Sequence, residues 1–248
     1  MFVLYYIGVY KEEALTLAAC ILFGGFLGLF DDWVNLRWRY KALIPLFAAI
    51  PLSAMRQGQT IMATYIFGKV DFGIYYYIII APLIITVVTN TVNQLGGLNG
   101  LETICPLIIM AGLMYTSEMK ALLLVPFIIY VILAGFNFTG KVFVGNVGTF
   151  AVGITLASFA VISNIEQTLL ISLIPYVLNS ALILLNFLFF KRTAKLILKG
   201  DKLTSNHRRS LQTLIAYNRR ISERKIVIII ALLVACTTTL AVLASILL

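Results

Sequence analysis

The sequence has few charged residues, one histidine and no paired cysteines. Only 12% of its 248 residues are charged, about half of the quarter that is usual in a soluble domain. Its three cysteines, Cys20, Cys105 and Cys236, lie singly inside apolar runs. Because no CxxC pair occurs, the pattern indicates neither a disulfide framework nor a cysteine metal site. The cysteines are interpreted as small buried apolar residues.

Acidic residues are scarcer than basic ones, which gives a net charge of +9. A protein that binds nucleic acid could carry such an excess, but here the lysines and arginines lie in the loops between apolar runs. Membrane topology and anionic lipid account for basic residues in those positions. We therefore expect no nucleic-acid partner.

Apolar residues are abundant, at 61% of the chain, and the mean hydropathy is +1.00. They form runs near or above the roughly 17 residues that cross a bilayer as a helix. The sequence predicts an all-α, multi-pass transmembrane helical bundle that forms one integral-membrane domain over residues 1–248. The eight predicted spans are 14–30, 40–55, 72–90, 102–117, 120–137, 147–163, 168–190 and 226–248.

A ninth apolar segment, MFVLYYIGVY at 1–10, is too short to cross. It lacks the basic start and small-residue cleavage site of a signal peptide. It is interpreted as a remnant, the end of a helix whose beginning is missing.

The loops between the spans alternate between two sides. One side holds the loops 31–41, 91–101, 138–146 and 191–225, and it carries 15 of the 19 lysines and arginines. Because positive charge concentrates in cytoplasmic loops, we expect this side to be cytoplasmic.

Three polar junctions lie on that side, and we expect them to converge on one site. Asp31 and Asp32 end the first span, TNTVNQLGGLNGLE (89–102) follows the third, and KVFVGNVGTF (141–150) precedes the sixth. Ionisable residues at membrane depth favour a functional role, but paired interface charges are an alternative. The asparagines could equally be helix caps or interhelical hydrogen bonds. His207, beside two arginines, fits a solvated basic loop better than a catalytic group.

The combination of residue types points to phosphoryl transfer. Carboxylate and amide oxygens suit Mg²⁺, and lysine and arginine suit phosphates. Catalysis of phosphoryl transfer depends mostly on positioning and charge neutralisation.

These motifs resemble those of the polyprenyl-phosphate N-acetylhexosamine-1-phosphate transferases, glycosyltransferase family 4. GLFDDWVNLRWRYKALIP is similar to the family's Asp-Asp motif with its downstream Leu-Arg-Trp-Arg and Lys. TNTVNQLGGLNGLE is similar to its Asn-rich loop, and KVFVGNVGTFAVG to its Phe-Val-Gly-Asp motif with one change. The order and spacing agree, and the resemblance is strongest to members that transfer GlcNAc-1-phosphate to dolichyl phosphate.

The resemblance implies an enzyme that transfers GlcNAc-1-phosphate from UDP-GlcNAc to a polyprenyl or dolichyl phosphate and releases UMP. This is the first membrane step of N-glycan-type assembly. It implies Mg²⁺ as cofactor, which Mn²⁺ could replace, and a homodimer is a further expectation. The membrane would be the plasma membrane in an archaeon or bacterium and the endoplasmic reticulum in a eukaryote.

The resemblance also implies roles for single residues. Asp31 and Asp32 would lie near the lipid phosphate, one as its base, and Lys41 would contact the diphosphate. Asn93 and Asn146 would bind the metal. The implied substrate-binding residues are Asn90 beside the metal, Asn99 and Phe143 on the uracil, Asn35 and Trp38 on the sugar and lipid side, and Lys191, Arg192 and Lys195 on the sugar phosphate.

Two features depart from the family. The acidic metal ligand of its Gly-Asp motif is Asn146 here, which removes one negative charge and predicts weaker metal binding. The family's first span and first cytoplasmic loop are also absent, and we expect either a start assigned too late or a shortened relative. Two other function classes stay open: a non-catalytic relative, and a transporter or lipid scramblase, although no charge lies in mid-span.

Overall fold

Helices form most of the chain, as the apolar runs predict. The structure, a computed structural model, describes Gly8 and residues 10–64, 68–191 and 193–247. The predicted helix remnant at 1–10 and Arg192 therefore lie wholly or mostly outside the described residues. The helices are α1 (Lys11–Val34), α2 (Trp38–Leu43), α3 (Pro45–Ala48), α4 (Ile50–Ala54), α5 (Tyr76–Gln94, with a π-helical start at Tyr76–Ile80), α6 (Leu101–Thr116), α7 (Lys120–Phe138), α8 (Gly145–Ile162), α9 (Glu166–Ser172), α10 (Ile174–Phe190), α11 (Leu211–Ile215) and α12 (Glu223–Ile246).

Two short antiparallel hairpins lie in segments predicted as loops. β1 (Ile61–Thr64) pairs with β2 (Gly68–Asp71), and β3 (Ile197–Lys199) pairs with β4 (Lys202–Thr204). Both stand outside the helical bundle, so they leave its all-α architecture unchanged.

The structure confirms a multi-pass helical membrane protein, but fewer helices than the eight predicted spans are long enough to cross. Within the described residues, α1, α5, α7, α8 and α12 have the length and composition of membrane spans. The helix α6 is shorter, and α9 and α10 form one apolar pair bent by 60°. Seven of the eight predicted segments thus correspond to one helix or to this pair.

The predicted span 40–55 is the exception, because it forms the three short helices α2, α3 and α4. Pro45 and Pro51 begin the second and third of these, each within the first two positions. Proline lacks the N–H that continues the helical ladder, so it starts a new helix rather than extending the old one.

The helix α8 lies at the centre of the bundle. Every residue from Val152 to Ile162 is buried, as expected of a helix that packs on all sides. It packs most extensively against α1 and α5. Glycines permit this approach: a Cβ on Gly28 would overlap the backbone oxygen of Asn146, and one on Gly153 would lie 2.7 Å from the Thr89 Cα. Small residues at such contacts are typical of membrane helices.

Side-chain hydrogen bonds between elements cluster at the two ends of the bundle. One end, called the Asp32 end here, carries the segments 35–37, 95–100, 139–144 and 191–222, and the other is called the opposite end. The contacts of Asp32 with α8 and of Asn179 with Gln94 lie at the Asp32 end. The contact of Gln59 with Asn164 lies at the opposite end. The chain therefore brings the three polar junctions to one end, as predicted.

Candidate functional site

Asp31 forms a buried ion pair with Lys41. The Lys41 Nζ lies 2.8 Å from the Asp31 Oδ2, and the Asp31 side chain is only 1% exposed. The Asp31 Oδ1 also accepts a hydrogen bond from the Leu36 backbone N–H at 3.1 Å. The helix α1 runs to Val34, so both acidic residues lie in its last turn rather than in the predicted loop 31–41. The carboxylate of Asp31 therefore orients Lys41 and the chain that follows α1.

Asn35 ends α1 and Asn90 supports the next helix. Asn35 is exposed, has a φ of 49° and donates its backbone N–H to the Asp31 carbonyl, a left-handed C-cap that asparagine tolerates well. The Asn90 Nδ2 donates to the Ala42 carbonyl at 3.0 Å, one residue beyond Lys41. Asn90 therefore holds in place the helix that carries Lys41.

Asp32, by contrast, is exposed and accepts hydrogen bonds from the start of α8. The Asn146 Nδ2 donates to its Oδ1 at 2.7 Å, and the backbone N–H groups of Asn146 and Val147 donate to its two oxygens at 3.2 Å. These N–H groups have no partner within their own helix, and the helix dipole favours a negative charge beside them. Gly145, at a φ of +66°, opens this approach, since a Cβ there would lie 2.9 Å from the Asp32 Oδ2.

Asn93 reaches the start of α8 from α5. Its Oδ1 accepts a hydrogen bond from the Thr149 hydroxyl at 2.8 Å, and that hydroxyl lies 3.2 Å from the Gly145 carbonyl. Asp32 and Asn146 therefore meet at the first turn of the central helix, and Asn93 contacts the same helix one turn further on, at Thr149. The sequence predicted this convergence of three separate motifs.

These three side chains present oxygen atoms that fit a hard divalent cation. An ionised carboxylate has about four acceptor positions, and hydrogen bonds use three of those on Asp32. Among the described residues none donates to the Asn146 Oδ1, and Asn93 keeps one lone pair free. Magnesium is commonly held by one or two carboxylates together with substrate phosphates. Within the same part of the chain no three His, Cys, Asp or Glu side chains cluster, so the set is a mixed one of carboxylate and amides.

Asn99 and Phe143 lie on two segments that meet at the Asp32 end. The Asn99 Nδ2 would be 3.8 Å from a Cβ on Gly140, three residues before Phe143. The Phe143 side chain is 77% exposed, so an aromatic face is open to a ligand. The two residues that the resemblance assigns to the uracil thus lie on neighbouring segments.

Trp38 brings the start of α2 to the end of α10. Its ring meets that of Phe187 edge to face, with centroids 5.4 Å apart, and Lys191 caps α10 one turn later. Lys191 and Lys195 are both exposed. This contact brings the basic segment after α10 to the side of the site that carries the Asp31–Lys41 pair, while Arg192 lies outside the described residues.

His207 supports the basic segment rather than standing free. Its Nε2 accepts the Lys195 backbone N–H at 3.3 Å. Burial lowers the pKa of His207 below its usual 6.5, and the nearby Arg209 charge acts in the same direction. Both effects favour the neutral imidazole, which can accept a hydrogen bond at its unprotonated nitrogen. The interpretation of His207 as a solvated loop residue misses this contact.

Two buried asparagines that sequence reasoning did not select hold the loops of the site. The Asn137 Oδ1 accepts the Gly100 N–H at 2.8 Å, and its Nδ2 donates to the Val142 carbonyl at 3.0 Å. The Asn179 Nδ2 donates to the Gln94 carbonyl and its Oδ1 accepts the Leu211 N–H, at 3.1 and 3.0 Å. The sequence feature that could have identified both asparagines is an amide inside an apolar span, where a polar side chain needs a hydrogen-bond partner.

The fold and the site together define a multi-pass membrane protein with a site of carboxylate, amide and basic groups at one end of a helical bundle. The sequence model of Glycosyl transferase family 4 matches residues 14–164, so the chain belongs to this family.

Three individual proteins are similar to this chain. The chain is similar to a protein of Sulfolobus acidocaldarius, with 38% identity over 169 residues that cover 64% of this chain and 51% of the relative. That protein is provisionally named UDP-N-acetylglucosamine–dolichyl-phosphate N-acetylglucosaminephosphotransferase. A protein of Dictyostelium discoideum has the same name, not marked as provisional. It is 32% identical to this chain over 193 residues, which cover 62% of this chain and 47% of the relative. A phospho-N-acetylmuramoyl-pentapeptide-transferase of Limosilactobacillus fermentum is 28% identical over 191 residues, 71% of this chain and 59% of the relative. The chain spans about half the length of the first two.

Proposed function

We propose that the protein transfers GlcNAc-1-phosphate from UDP-GlcNAc to a polyprenyl phosphate of the dolichyl type and releases UMP. The observation that carries this proposal is that Asp32, Asn93 and Asn146 gather at the start of α8, where Asp32 contacts Asn146 and Asn93 contacts Thr149, while Asp31 in the same turn of α1 as Asp32 pairs with Lys41. The names of the archaeal and Dictyostelium relatives support the choice of sugar nucleotide and lipid. The relative named for phospho-MurNAc-pentapeptide is less similar, and the three relatives described above are all named as transferases.

The reaction is a substitution at phosphorus. An oxygen of the lipid phosphate forms a bond to the sugar-side phosphorus of UDP-GlcNAc, and the bond from that phosphorus to the bridging oxygen breaks. The electron pair leaves on the phosphate of UMP. Both substrates are anions, so the site must reduce their repulsion and align them.

The two adjacent carboxylates take different roles in this scheme. Asp31 is buried and engaged by Lys41 and Leu36, so it positions Lys41, whose ammonium contacts the diphosphate. Asp32 is exposed and faces the reacting groups, where it accepts a proton or orients the lipid phosphate. The family resemblance implies that both residues lie near the lipid phosphate, whereas this scheme assigns that position to Asp32 alone.

Asp32, Asn93 and Asn146 would hold Mg²⁺, or Mn²⁺ in its place, and the ion would supply neutralisation of the diphosphate charge. Asn99 and Phe143 receive the uracil by hydrogen bond and by stacking. Lys191, Lys195 and Arg192 serve the sugar phosphate, and Asn35 and Trp38 lie on the sugar and lipid side.

The Asp32 end faces the cytoplasm in this proposal, because it carries the predicted loops 31–41, 91–101, 138–146 and 191–225, which hold 15 of the 19 lysines and arginines. Nucleotide sugars and their phosphates would then reach the site from the aqueous side, while the lipid enters from the bilayer. The membrane is the plasma membrane in an archaeon or bacterium, the endoplasmic reticulum in a eukaryote, and a homodimer is compatible with this arrangement.

The test is transfer of radiolabelled GlcNAc-1-phosphate from UDP-GlcNAc to a polyprenyl phosphate in washed membranes, with and without Mg²⁺. The proposal predicts labelled lipid and an equal amount of UMP, both lost when Mg²⁺ is chelated. Well-inserted protein that forms neither product would contradict the proposal and favour a non-catalytic relative.

A further inference from the structure

A polar cavity lies at the opposite end of the bundle from the proposed transfer site. It has a volume of about 410 Å³ and opens between the β1–β2 hairpin, the end of α6, the start of α9 and the end of α12. Its lining includes Lys69, Thr116, Asn164 and Ser245. Asn164 lies two residues after the end of α8, whereas Asn146 of the transfer site is in its first turn. An 18-residue helix is roughly 27 Å long, so the two sites are separate.

The side-chain amide of Gln167 is the first observation that indicates a ligand in the cavity. Both polar atoms of its amide, Nε2 and Oε1, are buried, and among the described residues neither has a hydrogen-bond partner. Gln167 lines the cavity. A buried amide without partners is costly, so its position next to an opening indicates that a polar ligand completes its hydrogen bonds.

Glu166 is the second sign. Its side chain lines the same cavity and is only 5% exposed, and its Oε1 accepts a hydrogen bond from the Tyr76 hydroxyl. This bond fixes one carboxylate oxygen to α5. Since a carboxylate has two oxygens with several acceptor positions, the group can still accept hydrogen bonds from a ligand in the cavity.

The lining selects against ions and in favour of a neutral ligand with many hydroxyl groups. The carboxylate of Glu166 opposes an anion, and the ammonium of Lys69 opposes a cation. The other polar groups are amides and hydroxyls. The Thr116 and Ser245 hydroxyls donate to carbonyls of their own helices, so their oxygens remain as acceptors for the hydroxyls of a sugar, which both donate and accept. The volume also falls in the range of small-molecule sites, and is too large for a single ion. Ile61 and Ile165 supply an apolar wall for the C–H face of a ring.

We infer that this cavity binds a neutral saccharide on the membrane face opposite the transfer site, with Gln167 and Glu166 as its main hydrogen-bonding groups. The saccharide belongs either to a soluble glycan or to the headgroup of an uncharged glycolipid, because the cavity lies where headgroups meet the aqueous phase. Both sources present the same hydroxyl chemistry.

The experiment measures binding by the full chain in phosphatidylcholine nanodiscs. Methyl glucoside is titrated with detection by saturation-transfer NMR, and in a second arm the nanodiscs contain a glucosyl-diacylglycerol. Saturable binding of methyl glucoside that the glycolipid does not displace indicates a soluble source. Displacement by the glycolipid at low mole fraction indicates a lipid source. Either result supports the inference, whereas binding in neither arm overturns it.

Gln167→Leu provides the decisive variant, because it removes an amide that has no protein partner and so should not unfold the protein. We expect binding to weaken about tenfold, the value of one net hydrogen bond, at an unchanged or higher melting temperature. The matched control is Gln57→Leu, an amide at the same end that does not line the cavity, with binding unchanged. Equal affinity in the two variants would overturn the inference, as would displacement of methyl glucoside by UDP-GlcNAc, which would place the sugar in the transfer site.

Discussion

Asn146 is the residue at which this chain differs most from the motif it resembles. Its Nδ2 donates to the Asp32 Oδ1 at 2.7 Å, a contact that a second carboxylate could not make without a proton or a cation between the two groups. The amide therefore holds Asp32 against α8 by a direct hydrogen bond that needs no metal ion between the two side chains. Because asparagine stands at 146 where the motif has aspartate, Asp32 is the single carboxylate among the three proposed metal ligands.

Asn146→Asp should make the stability of the protein depend on Mg²⁺. Without divalent cations we expect a loss of about 1–3 kcal/mol, because a hydrogen bond is replaced by repulsion between neighbouring carboxylates. Added Mg²⁺ should raise the melting temperature of this variant more than that of the wild type. Asn218→Asp, at an exposed position, is the control, and equal responses of the two variants to Mg²⁺ would contradict the account of Asn146.

Single residues show where sequence reasoning succeeds and where it stops. Asp32, Asn93 and Asn146 could be selected because carboxylates and amides at the ends of apolar runs are unusual and share one side of the membrane. The different roles of Asp31 and Asp32 could not be predicted, since adjacent residues in a helix point in different directions and only packing decides which is buried. The contact of Asn137 with Gly100 likewise depends on tertiary structure that no local pattern contains.

Among the helices, the closeness of α1 and α8 determines the geometry of the site. Gly28 lies at their contact, four residues before Asp32, where an added Cβ would overlap the Asn146 backbone oxygen and lie 2.6 Å from the Val147 Cα. Any side chain there must separate the two helices near the Asp32 carboxylate. The distance between Asp32 and the first turn of α8 therefore depends on a glycine.

Gly28→Ala should lower both stability and activity. Overpacking of this kind typically costs about 1–3 kcal/mol, and a displaced Asp32 should reduce transfer by at least about tenfold. The measurements are melting temperature and transfer rate. Gly25→Ala is the matched control, because a Cβ on Gly25 meets nothing within 4 Å and alanine favours a helix. Equal loss in both variants would contradict the role of the contact.

The helix α10 anchors the segment that follows it. Asn179 is buried in α10 and joins Gln94 at the end of α5 to Leu211 at the start of α11. The polar segment 193–222 is therefore attached to the bundle through Asn179, and a second bond, from the Gln212 Nε2 to the Gly96 carbonyl at 2.8 Å, joins it to the loop after α5.

Asn179→Leu should loosen that segment. Two buried backbone groups lose their partner, at a cost of about 1–3 kcal/mol, so trypsin should cleave at Arg208 or Arg219 roughly tenfold faster. Asn186→Leu is the control, since Asn186 donates to the Leu182 carbonyl within its own helix. Unchanged cleavage of the Asn179 variant would show that other contacts hold the segment.

The helix assignments show a similar limit. Long apolar runs predicted α1, α5, α7, α8 and α12 because hydropathy and length alone decide that a segment crosses a bilayer. They did not predict the division of 40–55 at Pro45 and Pro51, although those prolines were visible in the sequence. A proline bends a membrane helix or breaks it depending on which neighbours can satisfy the freed backbone groups, and that is a property of the packed bundle.

The molecule as a unit has two chemically different ends. The Asp32 end carries the basic segments, the carboxylate and amide cluster, and Asn99 and Phe143, whereas the cavity lined by Gln167 lies at the opposite end. Charge distribution predicts that the Asp32 end faces the cytoplasm.

Single-cysteine variants test this orientation in intact cells. With the native cysteines replaced by alanine, Glu118→Cys at the opposite end should react with a membrane-impermeant maleimide. Asp201→Cys, in the turn between β3 and β4, should react only after permeabilisation. Labelling of Asp201→Cys alone in intact cells would reverse the orientation and place the site on the outer face.

The most direct test of the transferase account compares Asp32→Asn with Asp201→Asn at equal levels of inserted protein. Both changes remove one carboxylate at the same end of the bundle, but only Asp32 meets α8 beside Asn93 and Asn146. We predict that transfer of GlcNAc-1-phosphate to polyprenyl phosphate falls at least about a hundredfold in Asp32→Asn, as expected for loss of a group acting in the transition state, and stays at the wild-type rate in Asp201→Asn. Wild-type transfer by Asp32→Asn would contradict the central role of this carboxylate.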